Sequence, residues 1–180
     1  YHIKTLLVLL LCFKLNAQKE SESKDKEISI QEPKLVVPGR FLSPPSDAIV
    51  LFDGKDFTKW QHSKTRKPVK WKLNSDNSMT IKPGTGSIET KVEHESIQLH
   101  IEWKSPIENE GEGQTRGNSG IIFQARYEVQ VLNSYQNKTY PDGQAGSIYG
   151  QHIPLVNAMR PTGEWQVYDI IFNAPKYAVS

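Results

Sequence analysis

Residues 96–103 read S-I-Q-L-H-I-E-W, and within them Ile97, Leu99, Ile101 and Trp103 alternate strictly with Gln98, His100 and Glu102. A period of two sends successive side chains to opposite sides of a strand, so this segment has one row to bury and one polar row. Nowhere does the chain sustain apolar residues at the 3.6-residue spacing of a helix. Short runs rich in β-branched and aromatic residues recur instead, and they predict strands at 48–52, 69–73, 78–81, 87–90, 97–103, 120–124, 127–132, 147–149 and 165–172. Turn clusters such as Asp53-Gly54, Asn74-Ser75-Asp76-Asn77, Pro83-Gly84 and Pro141-Asp142-Gly143 separate them. Regularly spaced short strands of this kind predict an all-β sandwich or barrel. At 180 residues, the chain is long enough for one domain with a core of its own.

The first 17 residues have a weakly basic start, an apolar block at 6–13 and a small residue at Ala17, the pattern of a secretory signal peptide cut before Gln18. The block is far short of the roughly 20 apolar residues that span a bilayer, so a transmembrane anchor is not expected. Lys4 and Lys14 leave with the leader, which takes the 22 basic residues to 20 against 20 acidic ones. A chain without net charge has no counterion-release drive for nucleic acid. Cys12, the one cysteine, lies in the leader too, so the exported chain is expected to hold no disulfide, thiolate-bound zinc or thiol nucleophile. Residues 18–47 are polar and carry Pro33, Pro38, Pro44 and Pro45. They read as a linker ahead of a domain over 48–180, in a secreted or periplasmic protein.

Y-E-V-Q-V-L at 127–132 repeats the alternation, with Tyr127, Val129 and Val131 inward and Glu128 and Gln130 on the opposite side. If the polar rows of the two strands converge on one groove, Glu102, His100, Glu128 and Gln130 line it. Paired carboxylates across a cleft suit glycosidic bond cleavage, because one donates a proton to the leaving oxygen while the other acts as base or nucleophile. A plain solvated strand face is the competing reading of the same residues. G-N-S-G at 117–120 reads as a tight turn or a ligand loop, and Trp60, Trp71, Trp103 and Trp165 as core or as sugar platforms. Asn137-Lys138-Thr139 matches a glycosylation acceptor pattern.

Six motifs follow in order: L-F-D-G-K-D-F-T-K-W at 51–60, L-H-I-E-W at 99–103, G-N-S-G-I-I-F at 117–123, Y-E-V-Q-V-L-N-S at 127–134, A-G-S-I-Y-G at 145–150 and P-L-V-N-A-M-R-P-T-G-E-W at 154–165. Together they resemble the 3-keto-disaccharide hydrolase family from about Ile49 to Pro175. The resemblance implies a concanavalin-like jelly-roll sandwich, with C-terminal strands missing from this chain and a carbohydrate in the concave groove. It implies cleavage of 3-keto-glycosides, supplied by a separate sugar-oxidising enzyme. It also implies Glu128 as base or metal ligand, Glu102 as second carboxylate and His100 as acid or ligand. Gln130, Asn118, Ser119 and Tyr149 would then bind the sugar, and a divalent metal ion on Glu128 and His100 is conceivable. Asn133 stands where the family often has Asp, and Gln166 where Asn is common. The rival readings are a lectin-like carbohydrate-binding module and a laminarinase-type glucanase.

Overall fold

The computed structural model describes residues 32–40, 43–108 and 111–176. The expected leader and residues 18–31 of the linker lie outside them. Two compact units divide the chain at residue 50. In the first, the described residues form neither helix nor strand, and a loop closes where Ser46 N donates to Val37 O at 3.0 Å and Val37 N to Ser46 Oγ at 3.0 Å.

The second unit is all-β. Its strands are β1 (Trp60–His62), β2 (Lys72–Leu73), β3 (Met79–Thr80), β4 (Ile88–Thr90), β5 (Ile97–Lys104), β6 (Ser119–Phe123), β7 (Tyr127–Val131) and β8 (Trp165–Phe172). The helical elements among the described residues are 3-10 turns at Gly113–Thr115 and Pro141–Gly143, and no helix there is long and apolar enough to cross a membrane. All strand pairs are antiparallel: β1 with β4, β2 with β3, β5 with β8 and β6 with β7. The strand expected at 48–52 does not form, and the Leu51 carbonyl instead accepts the Trp60 indole N–H at 2.8 Å. The segment expected at 147–149 is reduced to bridges through Ile148.

Why two of these pairs make a sandwich follows from hydrogen bonding. One edge of β7 is taken by β6, with Phe123 opposite Tyr127 and Ser119 opposite Val131. Its other edge is taken by residues 146–149: Gln130 N donates to Ser147 O, Gly146 N to Gln130 O, and Tyr149 N to Glu128 O, all within 3.0 Å. With both edges occupied, β7 can meet β8 only through its face. It does so where Phe172 stacks on Phe123 at 4.7 Å and tilts against Tyr127 at 5.9 Å. Tyr168 also donates its hydroxyl to Gln130 O at 2.8 Å. The β5/β8 pair therefore lies over the β6/β7 pair. Ile97, Leu99, Ile101, Trp103, Tyr168 and Phe172 point inward from one layer, and Phe123, Tyr127, Val129 and Val131 from the other. Trp103 closes edge-on against Tyr168 at 5.5 Å, and burial pushes the Tyr168 hydroxyl pKa well above its ordinary value.

The deepest burial follows β7, where Leu132, Asn133 and Ser134 are almost wholly enclosed. This centre is built largely of amides. Asn133 Nδ2 donates to Thr162 Oγ1 at 2.8 Å. Asn137 Nδ2 donates to the carbonyls of Asn133 at 2.8 Å and Gly113 at 3.0 Å, while its Oδ1 accepts from Gly113 N at 2.8 Å. Burying an amide without such bonds costs about 1–3 kcal/mol, so these contacts are what let polar side chains stand in for apolar ones. The asparagine of the glycosylation pattern is thus an internal crosslink between loops and not a surface acceptor.

Candidate active site

The outward side of the β6/β7 layer carries Gly120, Ile122, Glu128 and Gln130, since these alternate with the inward row. Backbone pairing across the other edge of β7 puts Ser147 beside Gln130 and Tyr149 beside Glu128 on that same side. Glu128 is half-buried, and its carboxylate lies directly over Gly120, where any Cβ would collide with it. Gly120 is not among the residues with positive φ, so glycine is needed there for room and not for backbone freedom.

Beside Glu128 is a locked group of amides. Gln114, in the Gly113–Thr115 turn, donates Nε2 to Thr139 Oγ1 and to Gly143 O, both at 2.8 Å. Its Oε1 accepts from Gln130 Nε2 at 2.9 Å and from Asn118 Nδ2 at 3.2 Å. Gln130 Nε2 also reaches Gly143 O at 3.3 Å. Gln130 is 1% exposed, so it holds the floor of the site and cannot itself clamp a sugar in this arrangement. At the rim, the hydroxyls of Tyr140 and Tyr149 meet at 2.6 Å with both rings exposed. That bond holds the Tyr140 pKa up at about 12, and because one hydroxyl donates and the other accepts, the accepting hydroxyl keeps a proton of its own to donate. Gly143 lies under the Tyr140 ring, which a Cβ at that position would strike.

The single groove expected from the two polar rows is not formed. His100 and Glu102 point outward from β5, and because the β5/β8 and β6/β7 layers meet through their inner rows, that side faces away from Glu128. There His100 Nδ1 meets Asp169 Oδ1 at 2.7 Å, an exposed pair, and Glu102 stands opposite Val167. Ser119 is a second correction: it is opposite Val131 and shares the inward row with Phe123, so parity turns it away from Glu128. Asn118, Gln130 and Tyr149 do fall in with Glu128. Gln114 and Tyr140 were missed, since both lie in turns where no alternation marks a residue's side.

The conceivable ion site on Glu128 and His100 does not fit, because the two residues lie on opposite outer sides of the sandwich. Among the described residues no group of three or more His, Cys, Asp or Glu side chains could hold a metal ion. A variant test follows. His100→Ala and Glu102→Gln should leave both Tm and turnover near wild type, as expected for exposed side chains. A collapse of turnover in Glu102→Gln, measured on folded protein, would return that carboxylate to the site.

A family model described as the 3-keto-alpha-glucoside-1,2-lyase-like domain matches residues 47–180. A crystal structure of a candidate glycosyl hydrolase from Parabacteroides distasonis ATCC 8503 is similar, with 49% identity, a TM-score of 0.79 and coverage of 85% of this chain. The matched part is 66% of that protein, so the chain spans just under two thirds of its length. A second structure of a candidate glycosyl hydrolase from the same organism shares the fold at a TM-score of 0.56 and 22% identity, over 69% of this chain and 63% of that one. Among curated proteins, none matches the chain.

Proposed function

The chain belongs to the family of 3-keto-alpha-glucoside-1,2-lyase-like domains, and on that footing we propose that it cleaves the glycosidic bond of 3-keto-glycosides with Glu128 as the base. The observation that carries this reading is that Glu128 is the one carboxylate of the outward β6/β7 row, held over Gly120 beside the Tyr140–Tyr149 pair. A ketone at C3 acidifies the C2 proton, so one base suffices. Glu128 takes that proton, the C–H electrons form the C2–C3 enolate, and their return expels the C1 substituent with its bonding pair. Water then adds across the C1–C2 double bond. A phenol proton of the tyrosine pair would serve the enolate or the departing oxygen, the kind of donor that stabilises developing negative charge. No step is routed through a metal.

A mechanism with two carboxylates, as in a laminarinase-type glucanase, loses its second member once Glu102 is on the other layer. The lectin-like reading gains from the same fact and from the exposed tyrosine rings, which suit a sugar face. One assay separates the three. Incubated with a 3-keto-glucoside and with its unoxidised parent, with and without a chelator, the protein is expected to cleave the keto form alone. Equal cleavage of the parent would point to the glucanase, and saturable binding without cleavage to the binding module.

On this reading, export to the periplasm or medium after cleavage behind Ala17 places the protein where glycans are met. A separate oxidase or dehydrogenase acting at C3 must supply its substrate.

A further inference from the structure

Away from Glu128, the β1/β4 pair borders a depression of about 380 Å3, within the ~300–1,000 Å3 of small-ligand sites. Phe57, Trp60, Gln61, Arg66, Lys67 and Lys91 are among its lining, and no carboxylate lines it. Residues 61–70 carry Lys64, Arg66, Lys67 and Lys70 without a single acid, in a chain whose 22 basic and 20 acidic residues are otherwise nearly balanced. The charge is therefore local to β1 and the segment that follows it, not a property of the whole surface.

The walls are fixed before any ligand arrives. Trp60 is held by its indole bond to Leu51 O, and Phe57 is backed by Phe52 at 6.0 Å. The loop after β1 is folded around His62, whose Nδ1 accepts from Lys64 N at 3.1 Å and from Thr65 N at 3.3 Å, while its backbone bonds Arg66 and Lys67. Arg66 sits in the left-handed region at φ 58°, a conformation costly for a side-chain-bearing residue and kept here by those bonds. Its guanidinium is held by Glu89, which also accepts from Gln61 Nε2 at 3.0 Å. Glu89 thus balances Arg66 alone. Neither Lys67 nor Lys91 meets a carboxylate among the described residues.

We propose that this depression is an accessory site for an acidic saccharide, with an aromatic wall for the apolar face of the sugar ring and Lys67 and Lys91 for its carboxylate. Aromatic side chains present a flat apolar surface, and charge-assisted bonds to a carboxylate supply orientation. The saccharide half of this assignment rests on the proposed function, whereas the anion half stands on the charge and geometry alone.

The test is equilibrium binding by calorimetry, comparing trigalacturonate, neutral galactotriose and inorganic sulfate at low and high salt. Trigalacturonate is expected to bind, with an affinity that falls as salt rises. The Lys67→Glu/Lys91→Glu double variant should weaken it about tenfold or more. Both lysines are exposed, so circular dichroism should be unchanged, and the Lys→Arg pair should keep binding. Glu128→Gln should bind trigalacturonate as wild type does, which separates this site from the cleavage reading: loss of that reading leaves the binding intact. No binding by wild type, equal binding of galactotriose, or full binding by the charge-reversed pair would each overturn the proposal. Sulfate binding as tightly as trigalacturonate would overturn the saccharide assignment.

Discussion

Glu128→Gln should cut cleavage of a 3-keto-glucoside by about 10²–10⁴-fold, the usual loss when a positioned base can no longer accept its proton. The amide keeps the shape of the carboxylate over Gly120, so Tm should stay near wild type. Val129 is the matched control. It lies one residue away on the inward row and bridges Ile148, so Val129→Ala should cost roughly 1–2 kcal/mol of stability and spare the turnover of folded protein. Turnover and thermal melts on the two variants separate chemistry from folding. A Glu128→Gln protein with near-normal turnover would remove Glu128 as the base.

Gly120→Ala should be almost as damaging by a different route. One methyl group enters space that the Glu128 carboxylate already fills, and such overpacking costs about 1–3 kcal/mol. Either the strand shifts or the carboxylate does, and a misplacement of about 1 Å in a reacting group can cost 10²-fold in rate. The effect should depend on Glu128. In a Glu128→Ala background the clash is gone, so adding Gly120→Ala should be nearly neutral in Tm while activity stays lost. A double-mutant cycle measures that coupling directly, and additive Tm losses would show that the two residues do not share this space.

Alternation made β5 and β7 legible to within a residue, because each has one row to bury and one to leave polar, whereas β8 was marked by its β-branched and aromatic run. It failed at β1, where Trp60, Gln61 and His62 are all half-buried and show no contrast between sides. Composition misled at residues 48–52, an apolar run with no strand to pair. In the site, parity brought Glu128 and Gln130 together, the motif resemblance supplied Asn118, and parity applied to Ser119 would have excluded it. The larger error had a different origin. Periodicity tells which residues share a side of one strand, but not which sides of two strands face each other across a layer. Glu102 and His100 were rightly placed on the polar side of β5, and that side belongs to the opposite surface of the sandwich. Gln114 left no signal, since its importance comes from four hydrogen bonds made by a turn.

The pairing of β5 with β8 joins residues 97–104 to 165–172, whereas β6, β7 and the segment around Ile148 are neighbours in the chain. Closing the first pair means fixing a loop that contains the whole second layer, and that entropy must be lost before its contacts form. The strand that carries Glu128 pairs with β6 through the short turn between Phe123 and Tyr127, so this pair belongs to the fast, local part of folding, and the β5/β8 layer to the slow part. Sequence distance thus orders assembly in time: the polar side is set out first, and the layer that backs it closes afterwards.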